Sequence, residues 1–156
     1  MSSEQRDISA RLNPISEAII GAAIEVHRGI GPGLLERVYA EALHHELTLR
    51  GIGFAREVPI EIEYKGLAIR GQRADLVVSG SVVVELKAVE EVADVHLAQL
   101  VSYMRAGGFP LGLLLNFHVP VMTKGIYRRI NSAFSAPSAS PRSNPPSPRS
   151  NSEAPA

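Results

Sequence analysis

The stretch from Arg73 to Lys87 constrains the fold most, because it places charged side chains inside apolar, β-type sequence. Valine and leucine alternate there with Glu85 and Lys87, so a strand would project both charged side chains from one face. Asp75 lies in the apolar run just before. Charged side chains are rare in such strands unless they are paired or bind an ion. The segment therefore predicts two neighbouring strands that carry a charged cluster.

The loop between these strands decides whether the two carboxylates meet. A two-residue loop would turn Asp75 away from the face of Glu85. A three-residue loop would pair Val78 with Val82, and hence Asp75 with Glu85, on the same face. Metal binding requires this second register, or a bulge that has the same result.

Two carboxylates can hold a divalent metal, and a neighbouring lysine can orient a water or stabilise developing charge. This is the chemistry of metal-assisted phosphodiester cleavage. The alternative is a salt bridge on a solvated strand face, in which Lys87 pairs with Glu85 or Asp75. Both interpretations follow from the same residues.

Hydrophobic periodicity divides the rest of the chain into two helices, three strands, one helix and two strands. The predicted helices begin at Asn13, Leu34 and Asp94, and Asn13 and Asp94 are predicted N-caps. The segment from Leu111 to Phe117 has the continuous apolar character of a buried central strand, and Pro59 suggests an edge strand. We expect an α/β (α+β) fold with a mixed central sheet flanked by helices.

Composition predicts one domain over residues 13–131, a flexible N-terminus over 1–12 and a disordered Ser/Pro-rich tail over 132–156. The chain has 16 basic and 16 acidic residues, and without the tail it has 14 and 15. Such a domain is not a general polyanion binder, so nucleic-acid contact would depend on a local patch and on metal. The absence of cysteine excludes disulfides and thiolate metal sites.

The sequence contains no apolar run of the roughly 20 residues that span a bilayer, and it begins without the features of a signal peptide. We expect a cytoplasmic protein with no membrane partner. The edge strand at Pro59 allows a homodimer without requiring one.

Further polar residues lie on the predicted helices. His96, Gln99 and Tyr103 form one stripe along the third helix, which could lie beside the charged strand or simply be a solvated flank. Glu36 lies near the start of the second helix, where the helix dipole already favours a carboxylate. The functional interpretation of Glu36 is a third carboxylate that reaches the metal.

Several segments in order resemble the GxxExxY proteins, a family assigned to the PD-(D/E)XK nuclease superfamily. The resemblance covers about Ile15 to Ile130. The segments that carry it are Val26-His27, Gly31-Pro-Gly-Leu-Leu-Glu36-Arg-Val-Tyr39, Arg56-Glu57-Val-Pro59, Tyr64-Lys65-Gly66, Ala74-Asp75-Leu-Val-Val, Val84-Glu85-Leu-Lys87-Ala88, Ala98-Gln99-Leu-Val-Ser-Tyr103 and Leu114-Leu-Asn116-Phe117.

The resemblance implies a role for each matching position. Asp75 and Glu85 would be metal ligands, and Glu36 would help to ligate the metal or orient the site. Lys87 would position the attacking water or stabilise the pentavalent phosphate. Gln99 and Tyr103 would match a Gln-x-x-x-Tyr element beside the active centre.

The resemblance therefore implies a Mg²⁺-dependent nuclease, with Mn²⁺ as an alternative ion, that hydrolyses phosphodiester bonds of DNA or a related nucleic acid. One alternative is a non-catalytic module on the same fold that binds nucleic acid or protein. Another is a structural or toxin-system partner whose charged cluster is only a salt-bridge network.

Overall fold

The structure, a computed structural model, describes residues 1–133. The tail predicted from Ser132 therefore lies outside the described residues, apart from its first two. The elements in chain order are α1 (Ser3–Ile30), α2 (Glu36–Leu49), β1 (Phe54–Tyr64), β2 (Leu67–Val78), β3 (Val82–Lys87), α3 (Asp94–Gly107), β4 (Leu111–Asn116), a short 3₁₀ helix (Met122–Gly125) and β5 (Ile126–Ile130).

The five strands form one sheet in the order β1-β2-β3-β4-β5, in which β3 and β4 are parallel and the other neighbours are antiparallel. Apolar residues of α1 and α2 pack on one face of the sheet. Apolar residues of α3 pack on the other face. The predicted α/β fold, a mixed sheet flanked by helices, is confirmed.

The strand positions within the sheet follow their apolar content. Every residue of β4 is buried, as predicted for a central strand with no polar face. Among the described strands, β1 pairs only with β2 and forms an edge, as Pro59 suggested. Within residues 1–133, no helix combines the length and the apolar character that crossing a membrane requires.

The first helix begins at Ser3, and the predicted start at Asn13 is wrong. A capping box explains the difference, because Ser2 and Gln5 exchange hydrogen bonds between side chain and backbone. Pro14 lies inside the helix. Ile8, in the added turns, is 2% exposed and packs as a core residue. The domain boundary at residue 13 remains a prediction.

The third helix begins one residue away from its predicted cap. Ala93 is the N-cap, and Asp94 is the first helical residue, where its charge suits the helix dipole. The ring of His96 takes the capping role, because its Nδ1 accepts a hydrogen bond from the Ala93 backbone N–H at 3.0 Å.

Two glycines allow close packing around β4. A Cβ at Gly112 would lie 2.5 Å from Sδ of Met104 and 3.0 Å from Cδ1 of Leu100, so α3 can approach the sheet only over a glycine. A Cβ at Gly125 would lie 2.0 Å from the backbone oxygen of Asn116. Side chains can rotate away from a new methyl group, whereas the backbone carbonyl of a central strand cannot.

We therefore expect Gly125→Ala to lower the free energy of unfolding by about 3 kcal/mol and Gly112→Ala by about 1 kcal/mol. Urea denaturation would measure both. The control is Gly53→Ala, because a Cβ at Gly53 meets no atom within 4 Å. Equal losses for the variants at 112 and 125 would contradict this account of the packing.

Candidate active site

The loop between β2 and β3 has the length that the site requires. Val78 pairs with Val82, which is the register of the three-residue loop and not of the two-residue alternative. Ser79 and Gly80 both adopt positive φ angles in the turn (51° and 67°). The regular ladder then runs only as far as Leu76 opposite Val84.

The strand pleat is interrupted at Asp75. Leu76 and Val78 pack beneath α1 and α2, yet Ala74 packs beneath α3. A regular strand would keep all three on one face. On β1, the pairs on either side of Glu57 place it opposite Asp75, and Glu57 has a φ of 46° that residues other than glycine rarely adopt.

Beyond the last ladder pair, the carboxylates of Asp75 and Glu85 continue the hydrogen bonding between β2 and β3. The Asp75 backbone N–H donates to Oε1 of Glu85 at 3.0 Å, and the Leu86 backbone N–H donates to Oδ2 of Asp75 at 2.8 Å. Each side chain thus accepts from a backbone N–H of the opposite strand. Asp75 and Glu85 are brought together, as predicted.

The expected shared face is not observed. Asp75 lines a groove together with residues of α2. Glu85 lies two residues after Val83 on β3, so its side chain projects from the same face as Val83, which packs beneath α3. The two carboxylates therefore meet across the gap between the strands, and the pleat interruption is what turns Asp75 toward α2.

Glu85 is the more buried of the two, with 4% of its surface exposed. Burial, followed by the negative charge of Asp75, raises the pKa of Glu85 to about 8. A buried carboxylate beside a second one favours either a proton or a cation. Lys87 acts in the opposite direction and lowers this pKa.

Glu36 and Lys87 approach the same region from α2 and β3. Glu36 lines the groove that contains Asp75. Burial and the charge of Asp75 raise the pKa of Glu36, while Lys87 and His96 lower it. Among the described residues Lys87 forms no ion pair within 4.0 Å, so the alternative of a salt bridge from Lys87 to Glu85 or Asp75 is not observed.

Gln99 and Tyr103 lie together on α3. Nε2 of Gln99 donates to the Tyr103 hydroxyl at 3.1 Å, and that hydroxyl donates to Oε1 of Gln72 on β2 at 2.6 Å. Burial, followed by the charge of Glu85, raises the pKa of Tyr103. The pair therefore lies near Glu85 and ties α3 to the β1–β2 hairpin.

Residues outside the charged cluster fix its position. Asn116 brackets Val89, because its Oδ1 accepts from the Val89 N–H at 3.0 Å and its Nδ2 donates to the Val89 carbonyl at 2.9 Å. The Lys87 carbonyl accepts from the Phe117 N–H at 2.9 Å. These bonds hold the end of β3 against β4.

Tyr39 holds the loop in front of α2. Its hydroxyl donates to the Gly31 carbonyl at 2.6 Å and accepts from the Leu34 N–H at 3.1 Å. Its ring stacks on Phe117 with centroids 4.6 Å apart. Because Glu36 is the first residue of α2, Tyr39 fixes the direction from which Glu36 enters the groove.

The groove residues to which the sequence analysis gave no role include Arg56, Glu57 and His44. Arg56 and Glu57 belong to a segment that carried the family resemblance, which could have drawn attention to them. His44 lies two turns after Glu36 on the same face of α2, which is a spacing visible in the sequence.

The donor set suits a hard divalent cation. Mg²⁺ commonly binds through one or two carboxylates, and waters and substrate oxygens complete its shell. Asp75 and Glu85 supply two such groups, and their mutual repulsion would fall on binding. Within residues 1–133, no three histidine or acidic side chains are grouped tightly enough to hold a metal ion. Ligation by Glu36 therefore remains a prediction.

Comparison with known proteins agrees with this geometry. The family pattern of the PD-(D/E)XK nuclease superfamily matches residues 13–130, about three quarters of the chain. Comparisons with curated proteins and with solved structures gave no match. The GxxExxY assignment remains a resemblance. With its mixed sheet and its Asp75…Glu85-x-Lys87 arrangement, the chain belongs to the PD-(D/E)XK nuclease superfamily.

Proposed function

We propose that the protein is a Mg²⁺-dependent nuclease that hydrolyses phosphodiester bonds in DNA. The observation that carries the proposal is the carboxylate pair, buried Glu85 and half-buried Asp75, at the end of the β2–β3 ladder with Lys87 two residues further on. Family membership supports nuclease chemistry and nucleic-acid binding in general.

The proposed roles follow from position and charge. Asp75 and Glu85 would hold the cation, and Glu36 would approach it from α2. A bound divalent cation supplies Lewis acidity and lowers the pKa of a water molecule. Lys87, which forms no ion pair among the described residues, is available to stabilise negative charge that develops on the phosphate oxygens. Gln99 and Tyr103 would hold α3 against this site.

Metal binding is the first expected property. Isothermal titration of Mg²⁺ or Mn²⁺ into the wild-type protein, with and without short DNA, should give a binding isotherm. The same titration into an Asp75→Ala/Glu85→Ala double variant should give none, because both carboxylate donors are gone. Absence of binding to the wild type under either condition would favour the alternative of a non-catalytic module on this fold.

Cleavage should depend on the charged cluster. We expect Asp75→Ala or Lys87→Ala to lower the rate of metal-dependent DNA cleavage by at least about 10²-fold, because each removes a charge that acts on the transition state. Cleavage of a labelled DNA strand measures the rate, and circular dichroism checks the fold.

A matched control is Lys65→Ala, which removes an exposed lysine at the β1–β2 turn and should leave cleavage unchanged. Equal cleavage by wild type and both cluster variants would contradict the proposal. Loss of folding stability without loss of activity in Lys87→Ala would instead identify a structural charge network.

Stability should fall as pH rises, because folding raises the pKa of Glu85. The unfolded chain releases this proton near the ordinary pKa of about 4.3. The folded protein holds the proton until about pH 8. Between these values the folded state binds more protons, so the contribution is complete below the window and is lost through it.

We expect a loss on the order of 2–5 kcal/mol across that window in buffer containing a chelator. Glu85→Gln should flatten the dependence, whereas Glu91→Gln, at an exposed position, should not. Urea denaturation at a series of pH values measures this. Parallel pH profiles for wild type and Glu85→Gln would exclude Glu85 as the cause.

A further inference from the structure

A groove with a volume of about 320 Å³ runs from Asp75 along α2. Ala40 and Leu86 give it apolar walls, and Arg56 and His44 lie along the part away from Glu36. Pockets that bind small ligands begin at roughly this volume. The chemistry proposed for the carboxylate pair and Lys87 does not use this extension of the groove.

His44 gives the groove an unpaired polar group. Its side chain lines the groove although the residue is only 9% exposed. Within residues 1–133, its Nδ1 is the one buried side-chain nitrogen or oxygen without a hydrogen-bond partner. Such atoms are rare because an unmet hydrogen bond is costly. Nδ1 itself is buried, so a ligand in the groove would contact other atoms of the ring.

The imidazole of His44 also forms part of a flat wall. It lies parallel to the Phe54 ring, with centroids 5.5 Å apart and 12° between the planes. Burial, followed by the charge of Arg56, lowers the pKa of His44, which keeps the ring neutral. A neutral ring backed by a phenyl ring is suited to stacking against another planar group.

The charges of the groove give a phosphate no attraction away from the cation. Four acidic side chains and two arginines line the groove. With Asp75 and Glu36 assigned to the cation, Glu41 and Glu57 balance Arg37 and Arg56, so the extension has no net charge with which to attract an anion. Arg56 is held by Glu41 at 2.5 Å, which orients its guanidinium toward a fixed position.

We propose that this groove receives one unpaired nucleobase next to the phosphate at Asp75, with His44 stacking on the base. The inference rests on the proposed nuclease function and narrows its substrate to strands with an unpaired nucleotide. A paired base cannot enter such a groove without leaving the helical stack. A nearly neutral domain also needs affinity from bases, because its acidic residues offset the attraction of its basic residues for phosphates.

Binding without cleavage tests the proposal. The probes are a labelled single-stranded DNA oligonucleotide, the same strand with one abasic site at successive positions, and its duplex. They are bound in Ca²⁺ buffer and followed by fluorescence anisotropy. We expect the wild type to bind the single strand about tenfold more tightly than the duplex, and an abasic site at one position to cost about tenfold.

His44→Ala should bind the intact and abasic strands equally, whereas His44→Phe, which retains a ring, should keep part of the difference. His45→Ala, an exposed neighbour on the same helix, should behave as wild type. Near-ultraviolet circular dichroism confirms that the variants remain folded. An abasic effect that persists in folded His44→Ala would overturn the role of His44.

The inference and the nuclease function can fail separately. Asp75→Ala should lose cleavage but retain the preference for an intact base, because it leaves the imidazole wall in place. Cleavage by the wild type with equal affinity for intact and abasic strands would overturn the base site alone. Base-dependent binding with no cleavage under any metal would remove the nuclease function and leave the base site standing.

Discussion

The pair of hydrogen bonds between β2 and β3, from Asp75 N–H to Glu85 and from Leu86 N–H to Asp75, determines the form of the site. Buried backbone donors must find acceptors, and a strand ladder normally supplies them. Where the ladder ends here, two carboxylates accept the backbone hydrogen bonds instead. The charges that the chemistry requires therefore also satisfy the backbone, which allows two acidic groups to lie this close inside a folded domain.

The stability of the sheet and the chemistry of the site depend on different residues. The β2–β3 ladder pairs apolar residues with one another, and every residue of β4 is buried. The stability of the end of β3 depends on neutralisation of Glu85, either by a proton or by a cation. The scaffold can thus remain constant while the state of the site responds to its surroundings.

The sequence predicted the sheet well because strand pairing follows from periodicity and loop length. It identified the buried position of β4 and showed that a three-residue loop would bring Asp75 to Glu85, but it left the loop length open until the structure gave the register. It could not place Asp75 in the α2 groove, because that depends on a pleat interruption shared with Glu57. A positive φ at a glutamate is a tertiary effect that local propensity does not contain.

The groove residues were missed for a related reason. His44 shares a helix face with Glu36, but only the three-dimensional packing shows that its Nδ1 has no described partner.

The start of α1 was missed although Ser2 and Gln5 have the spacing of a capping box. The Asn13-Pro14 signal was the more conspicuous of the two, and Pro14 is tolerated inside the helix.

The first helix begins before the region that matches the family pattern. The family match begins at residue 13, but α1 begins at Ser3, and Ile8 is buried in the core. Arg128 of β5 also donates to Ser9 and Asn13 along this helix. The helix therefore extends beyond the border of sequence similarity. A fragment that begins at residue 13 would lose the buried side chain of Ile8 and the hydrogen bond from Arg128 to Ser9.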